Sequence, residues 1–257
     1  ELEIAQPPWR ELSSIAEAKA FAQEVSYPVL IRPSYVLGGQ GMRIAVKEEE
    51  LKRYVTRILK THPENAFLID KYLEHAIEVD VDSVYDGDQL HISGMMQHIE
   101  PAGVHSGDST AVLPPYSLSE EVMQTIRDHQ EKIADAMEIL GFLNVQYAVK
   151  DEKVYVLEAN PRTTRTVPFL AKANQVPEAA IGTKVMLGAK LKEFDLKSKL
   201  DCWAIKEPVF SWDKFPEVPK ELGPEMKSTG ESIAFIDELT DEHFRRPYEM
   251  RNLYLSR

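Results

Sequence analysis

The segment Val154-Tyr155-Val156-Leu157-Glu158-Ala159-Asn160-Pro161-Arg162 constrains the fold more than any other stretch of the chain. Its apolar run reads as a strand, and alternation puts Glu158 and Asn160 on one face, with the Arg162 guanidinium just past the end. A partner strand, Leu143 to Lys150, lies immediately upstream across Asp151-Glu152-Lys153. A three-residue loop there sets Lys150 against Val154, Gln146 against Glu158 and Asn144 against Asn160. A two-residue turn would instead put Gln146 and Glu158 on opposite faces. In the first register four oxygen-bearing side chains crowd one face, and hard divalent cations such as Mg²⁺ take oxygen ligands of this kind together with phosphate and water. The arrangement reads as a magnesium-nucleotide site, with a solvated edge hairpin as the alternative.

A chain of 257 residues can hold one large domain or two modest ones, and its 43% hydrophobic content is that of a globular protein. Thirty basic residues against 42 acidic ones give a net charge of −12, which argues against a nucleic-acid partner. The single cysteine, Cys202, excludes an internal disulfide and any cysteine metal cluster. No apolar run approaches membrane-spanning length, and Glu1-Leu2-Glu3 lacks the basic and apolar parts of a signal peptide. These features together imply a soluble, cytoplasmic protein with no membrane partner.

The opening residues, with Gln6-Pro7-Pro8-Trp9, read as an extended lead-in, and Ser14-Ile15-Ala16-Glu17 offers a capping box for a helix to about Val25. An opening without a first strand or helix suggests a piece cut from something longer. Strands follow at Val29-Leu30-Ile31-Arg32 and near Met42 to Val46, then a helix from about Glu48 to Lys60 and a strand at Phe67-Leu68-Ile69-Asp70, making a small α/β unit. From Ile77 the pattern alternates, with Ile77, Val79 and Val81 opposed to Glu78, Asp80 and Asp82, as in a half-buried strand. Asp86-Gly87-Asp88 turns the chain into a strand from about Gln89 to Ile99. An amphipathic helix from about Ser119 to Ile139 precedes the hairpin, and another near Glu178 to Leu187 ends at Gly188. The larger unit is thus an antiparallel sheet backed by helices. From about Leu191 only Trp203 to Phe210 reads firmly as a strand, and the rest reads as a strap over the larger unit.

Gly38-Gly39-Gln40-Gly41, between two strands, could close bare backbone N–H groups over phosphates, or could be an ordinary β-turn. It matches neither the P-loop nor the dinucleotide fingerprint. Arg32 ends an apolar strand and needs an anionic partner, either a phosphate or a carboxylate such as Glu78. Glu78 could also accept from ribose hydroxyls or face solvent. His105 and Ser106 are adjacent on an extended loop and point apart, which disfavours a hydrolytic pair. The other histidines lack zinc-ligand spacing. Arg162 and Arg165, three apart after Pro161, suit a small doubly oxygenated anion, with surface salt bridges as the alternative.

These residues occur in the order seen in ATP-grasp enzymes. More narrowly, Arg32-Pro33-Ser34-Tyr35-Val36-Leu37-Gly38-Gly39, Ala102-Gly103-Val104-His105-Ser106-Gly107-Asp108-Ser109 and Arg165-Thr166-Val167-Pro168-Phe169 resemble the carboxy-terminal half of the large subunit of glutamine-dependent carbamoyl phosphate synthetase. The resemblance runs from about Pro8 to Glu231. It implies an α+β, two-lobed ATP-grasp clamp: a small lobe at 1–72, a large lobe with the metal-binding hairpin at 73–190 and a C-terminal strap at 191–257. By the same resemblance Arg32 contacts phosphate, with Gly38 and Gly39 closing over it, and Glu78 contacts ribose. The backbone around Lys71 and Leu73 meets adenine, and Gly103, Val104, His105 and Ser106 line the nucleotide pocket. Gln146, Glu158 and Asn160 hold Mg²⁺, or Mn²⁺ in its place, while Arg162 and Arg165 steady the transferred phosphoryl group and carbamate.

The implied activity is ATP-dependent phosphorylation of carbamate to carbamoyl phosphate, within glutamine-dependent synthesis for pyrimidines and arginine. The implied partners are a glutaminase small subunit and the remainder of the large subunit. The rival readings are a nucleotide-binding but non-catalytic fragment and another ATP-grasp carboxylate-amine ligase. Two departures stand out. Thr163 and Thr164 occupy positions where alanine or serine is usual, a change expected to be tolerated. The family's half usually begins with a Rossmann-like domain to which nothing in this sequence corresponds, which puts independent catalysis in doubt. Many members continue beyond Ser228-Thr229-Gly230-Glu231 into a regulatory domain whereas this sequence ends at Arg257, so feedback through that domain is expected to be absent unless the chain is cut short there.

Overall fold

The computed structural model describes residues 2–34, 38–61 and 66–240. Two antiparallel sheets carry the architecture. The smaller contains β1 (Trp9–Leu12), β2 (Val29–Pro33), β3 (Arg43–Ala45) and β4 (Phe67–Lys71), in the order β1-β4-β2-β3. Helices α1 (Ile15–Val25) and α2 (Glu48–Thr61) bury Ala18, Phe21, Leu51 and Val55 against Val29, Ile31, Phe67 and Ile69. At the start of α1, Ser14 accepts from the Glu17 backbone N–H while the Glu17 side chain accepts from Ser14, satisfying two otherwise orphaned donors. The lead-in is not wholly irregular. β1 pairs with β4 from Trp9 opposite Asp70 to Leu12 opposite Phe67, and it escapes sequence reading because only Leu12 of its four residues is buried.

The larger sheet has seven strands in the order β11-β10-β7-β6-β5-β8-β9. They are β5 (Ile77–Tyr85), β6 (Leu90–His98), β7 (Ala111–Leu113), β8 (Gly141–Lys150), β9 (Lys153–Asn160), β10 (Trp203–Val209) and β11 (Gly230–Ile236). Helix α3 (Glu120–Ala136), capped by Ser119, covers one face, setting Val122, Ile126 and Ile133 into a core with Val79, Val81, Val145, Tyr147, Val154 and Val156. On the opposite face α4 (Thr166–Asn174) packs Phe169 and Leu170 against Met96 and Leu113, and α5 (Glu178–Met186) packs Ile181 and Val185 against Val84. Gly188 follows α5 at φ +102°, the left-handed residue expected after a helix end.

Two expectations change here. β5 is buried on both faces rather than half-buried, because Glu78, Asp80 and Asp82 lie under the loops and helix that cover the second face. The segment after Leu191 is not only a strap. β10 pairs with β7 and β11 with β10, so both are members of the large sheet. β11 went unread because its polar and apolar residues are not segregated by strong burial.

The hairpin reaches the expected pairing by a different route. Its turn has two residues, Asp151 and Glu152, both with positive φ, and Lys150 faces Lys153. That register holds to Tyr147 opposite Val156 and then shifts by one, so that Gln146 faces Glu158 and Asn144 faces Asn160. Leu157 is the extra residue of a β-bulge, and the bulge restores the face that the short turn would have lost.

Candidate functional site

The register of three strands builds the site. On the sheet face opposite α3, Asp80 of β5 stands beside Gln146 of β8 and Glu158 of β9, and Asp82 stands beside Asn144 and Asn160. Gln146 and Glu158 are thus adjacent, with Asn160 one pleat further on. The Gln146 Nε2 donates to Ser106 Oγ at 3.0 Å and the Asn160 Nδ2 to Asn144 Oδ1 at 3.4 Å. Both amides have their nitrogens occupied and turn their oxygens to the site, where Asn160 Oδ1 also accepts from Arg162 Nη2 at 3.3 Å. One carboxylate and two amide oxygens suit the hard, oxygen-seeking Mg²⁺ with phosphate and water completing its shell. Among the described residues no group of three or more His, Cys, Asp or Glu side chains is placed to hold a metal ion.

Beside the carboxylate the bulge delivers something apolar. Leu157 and Tyr155 share the site face with Ala148, Ala76, Ala102 and Leu73, forming a shallow apolar surface next to the chain crossing from β4 to β5. The crossing is held by Tyr72, whose hydroxyl donates to Ala102 O at 2.5 Å. The Lys71 Nζ donates to Ser26 O at 2.9 Å and Tyr27 O at 3.2 Å. Gly103, at φ +97°, lies so close to the Tyr72 ring that a Cβ there would collide with it.

Glu78 is buried, accepts from the Gly103 N–H at 3.3 Å and stands 3.6 Å from His98 Nδ1. Burial, reinforced by the Asp80 charge, pushes its pKa up to about 8. His98 is held down to about 3 by burial, with Lys206 and His105 adding to the effect. Asp80 rises to about 7 through burial and the neighbouring charge of Asp82. Lys206, on β10 and 1% exposed, donates to Ser106 O at 3.0 Å. Its charge faces Asp80, Glu231 and Glu100, while burial lowers its pKa. Val104 is buried, His105 Nδ1 accepts from Gly107 N at 3.0 Å, and His105 with Ser106 forms no nucleophile-base pair.

Arg32 is not partnered by Glu78. Its Nε and Nη2 bind Asp70 Oδ2 and Oδ1 at 2.6 and 2.8 Å, a two-point grip across β2 and β4. The Arg162 Nη2 donates to Asn160 Oδ1 at 3.3 Å, and the Arg165 Nη2 donates to Ser228 Oγ at 3.1 Å and Gly107 O at 3.3 Å. Their bonds therefore go to the site and its rim rather than to surface carboxylates. Gly38 and Gly39 both have positive φ, and a Gly39 O to Met42 N–H bond of 3.0 Å closes a turn there. Tyr35, Val36 and Leu37 of the same motif lie outside the described residues.

Part of the segment read as a strap ties the rim together. Met226 N donates to Gly38 O at 3.2 Å, Gly223 O accepts from His105 N at 2.8 Å, and Glu225 pairs with Arg43 at 3.1 Å. The fully buried Asp108 accepts from the backbone N–H groups of Lys227 and Ser228, both at 2.8 Å. Asp70, Asp82, Asp108 and Lys206 were not singled out beforehand. For Asp70 and Lys206 the signal was a lone charge within or at the end of an apolar strand, as in Trp203-Ala204-Ile205-Lys206, whereas Asp82 sits in an acidic alternation and Asp108 in a loop.

The family model for the carbamoyl-phosphate synthase L chain, ATP binding domain, matches residues 2–194. The chain belongs to this family. Among curated members it is 55% identical over 232 residues to the carbamoyl phosphate synthase large chain of Archaeoglobus fulgidus, covering 90% of this chain and 22% of that one. It is 44% identical to the large chain's C-terminal section from Aquifex aeolicus, covering 100% of this chain and 52% of that one. The chain thus spans from about a fifth to a half of these relatives' length. Solved structures at low identity share the fold, which is ATP-grasp. A Campylobacter jejuni biotin carboxylase matches with a TM-score of 0.70 at 19% identity, over 82% of this chain and 48% of that one. An ADP complex of N5-carboxyaminoimidazole ribonucleotide synthetase matches with a TM-score of 0.73 at 13% identity, over 98% and 68%. No helix among the described residues of this family member is long and apolar enough to cross a membrane.

Proposed function

We propose that this chain is the nucleotide clamp of the carbamate-phosphorylating half of a carbamoyl phosphate synthase, and that the intact protein transfers the γ-phosphoryl group of ATP to carbamate. The observation that carries the reading is the bulged hairpin, which brings Gln146 and Glu158 side by side, with Asn160 and Arg162 at the end of the same strand. Adenine lies on the apolar surface of Leu73, Ala148 and Leu157, with Lys71 and Leu73 offering backbone groups to its edge. Glu78 meets the ribose. Arg32, oriented by Asp70, and the loop at Gly38 and Gly39 hold phosphates, while Gly103, Val104, His105 and Ser106 wall the pocket.

Gln146, Glu158 and Asn160 hold Mg²⁺, which neutralises charge on the phosphate oxygens. Phosphoryl transfer asks the protein chiefly for positioning and charge stabilisation. Arg162 and Arg165 supply both to the moving phosphoryl group and to carbamate. No general base is needed because carbamate is already an anionic nucleophile, so Glu158 acts as a ligand. A glutaminase subunit and the rest of the large subunit supply the carbamate.

The test is ADP release by the intact protein with bicarbonate and an ammonia source, set against a panel of carboxylic acids. Carbamoyl phosphate formation that Glu158→Ala reduces by at least about 100-fold, the upper range for losing a metal site's supporting partner, is the expected result. Turnover only with another carboxylic acid would reassign the substrate to a different carboxylate-amine ligase.

A further inference from the structure

Behind Asn160 lies a buried polar relay that no contact with nucleotide requires. Asn144 is 1% exposed, and its Nδ2 donates to Asp80 Oδ1 at 2.5 Å and to Asp82 Oδ1 at 3.1 Å. Both aspartates meet Asn144 on its nitrogen side, and an acceptor such as Asp82, already taking two hydroxyl donors, leaves the amide only its NH₂ end to turn that way. Asp82 is kept in that accepting role by further donors. The Thr164 hydroxyl reaches it at 2.8 Å and the Thr166 hydroxyl closer still, and both bonds oppose the upward pull of burial on its pKa. The fixed polarity then passes outward. Asn144 Oδ1 accepts from Asn160 Nδ2 at 3.4 Å, which leaves Asn160 Oδ1 facing the site, where Arg162 Nη2 meets it at 3.3 Å.

We propose that Asp80, Asp82 and Asn144 are positioning residues that fix which end of the Asn160 amide faces the reaction site, presenting its oxygen and not its nitrogen to a divalent cation. The inference rests on the reading of Asn160 as a metal ligand. Gln146 supplies the contrast. Its Nε2 meets the Ser106 hydroxyl, which can donate as readily as accept, so that bond does not choose the amide's orientation. Asn160 is held from both ends, its Nδ2 by the buried relay and its Oδ1 by the donor-only guanidinium of Arg162. Thr164 lies between Arg162 and Arg165, so Asp82 also moors the arginine-bearing segment to the same relay.

The experiment is a double-mutant cycle on the intact native protein, read as ADP affinity by calorimetry with and without Mg²⁺. Asn144→Ala should weaken magnesium-dependent binding by about 10–100-fold, as loss of a ligand-orienting partner does, while leaving magnesium-free binding unchanged. In an Asn160→Asp background the ligand has oxygen at both ends and no orientation to lose, so Asn144→Ala should then cause no loss of magnesium-dependent binding, since it also removes the oxygen–oxygen contact that the first substitution creates. Equal losses in both backgrounds, or no loss in the first, would overturn the proposal. Should Asn144→Ala fail to fold, the double replacement Asp80→Asn/Asp82→Asn keeps the volume, removes two buried charges and frees Asn144 to rotate. It must show the same background-dependent loss. Glu158→Ala separates the two levels. If it leaves the magnesium dependence intact, the metal site itself is misassigned, and if it abolishes that dependence while Asn144→Ala does not, only the positioning role fails.

Discussion

Asp70 grips Arg32 through both carboxylate oxygens, at 2.6 and 2.8 Å, and the pair spans the two central strands of the small sheet. The pairing uses Nε and Nη2 and holds the guanidinium plane in one attitude. Asp70→Ala should therefore lower stability by about 2 kcal/mol, in the range for hydrogen bonds to charged groups, and weaken ATP binding more than adenosine binding. Urea unfolding and calorimetry with the two ligands would check both parts, and equal weakening of the two would deny Arg32 a phosphate role.

Leu157 is the added residue of the bulge, so removing it changes the hairpin in a defined way. With Leu157 deleted, the two-residue turn and a regular ladder still set Glu158 opposite Gln146 and Asn160 opposite Asn144. What disappears is the apolar contribution beside Ala148 and Ala102. The expected outcome is magnesium dependence close to that of the parent, with nucleotide affinity reduced by about 10-fold, or about 1.4 kcal/mol, for the loss of a half-buried aliphatic side chain. Abolition of the magnesium dependence would show that the bulge serves the proposed ligands Gln146, Glu158 and Asn160 directly.

Much of this architecture is legible in the residues themselves. The Ser14 and Glu17 capping box, the helix after Ser119 and the left-handed Gly188 announce their elements locally. The hairpin is instructive because the expected pairing holds although the expected turn does not. A bulge leaves no mark in a run such as Val156-Leu157-Glu158, since either register looks regular. The acidic strand at Glu78, Asp80 and Asp82 resembles a solvated face for a similar reason. Its satisfying partners, Asn144, Thr164, Thr166 and Lys206, come from far along the chain and only the fold assembles them. β1 and β7 are too short to alternate visibly, and α4 hides within a motif noticed for its arginines.

Buried acids predict an unusual pH profile for the nucleotide-free protein. Glu78, raised to about 8, and Asp80, raised to about 7, keep protons in the folded state that the unfolded chain has already released. Stability should therefore fall as pH rises towards 8, with a slope of about 1.4 kcal/mol per pH unit for each such group. His98, lowered to about 3, acts in the opposite direction below its ordinary value of 6.5, where the unfolded chain binds a proton that the folded state excludes. The decline should be clearest between about pH 6.5 and 8. Unfolding free energies across that range, with Glu78→Gln expected to flatten the slope, provide the check.

Asp108 satisfies two backbone donors with one fully buried carboxylate. Asp108→Ala would strand both N–H groups, at a cost of about 1–3 kcal/mol each. The segment from Gly223 to Ser228 should detach and become protease-sensitive while the helices persist. Limited proteolysis followed by mass analysis would locate the new cleavage, and an unchanged digestion pattern would count against this anchoring role.

The family match stops at residue 194, yet β10 and β11 complete the sheet and residues 223–228 brace the loops around the site. For recombination between relatives, this makes 194 a poor seam. A chimaera joined there would inherit its candidate ligands from one parent and their scaffold from the other, so the smallest exchangeable unit extends at least to Ile236.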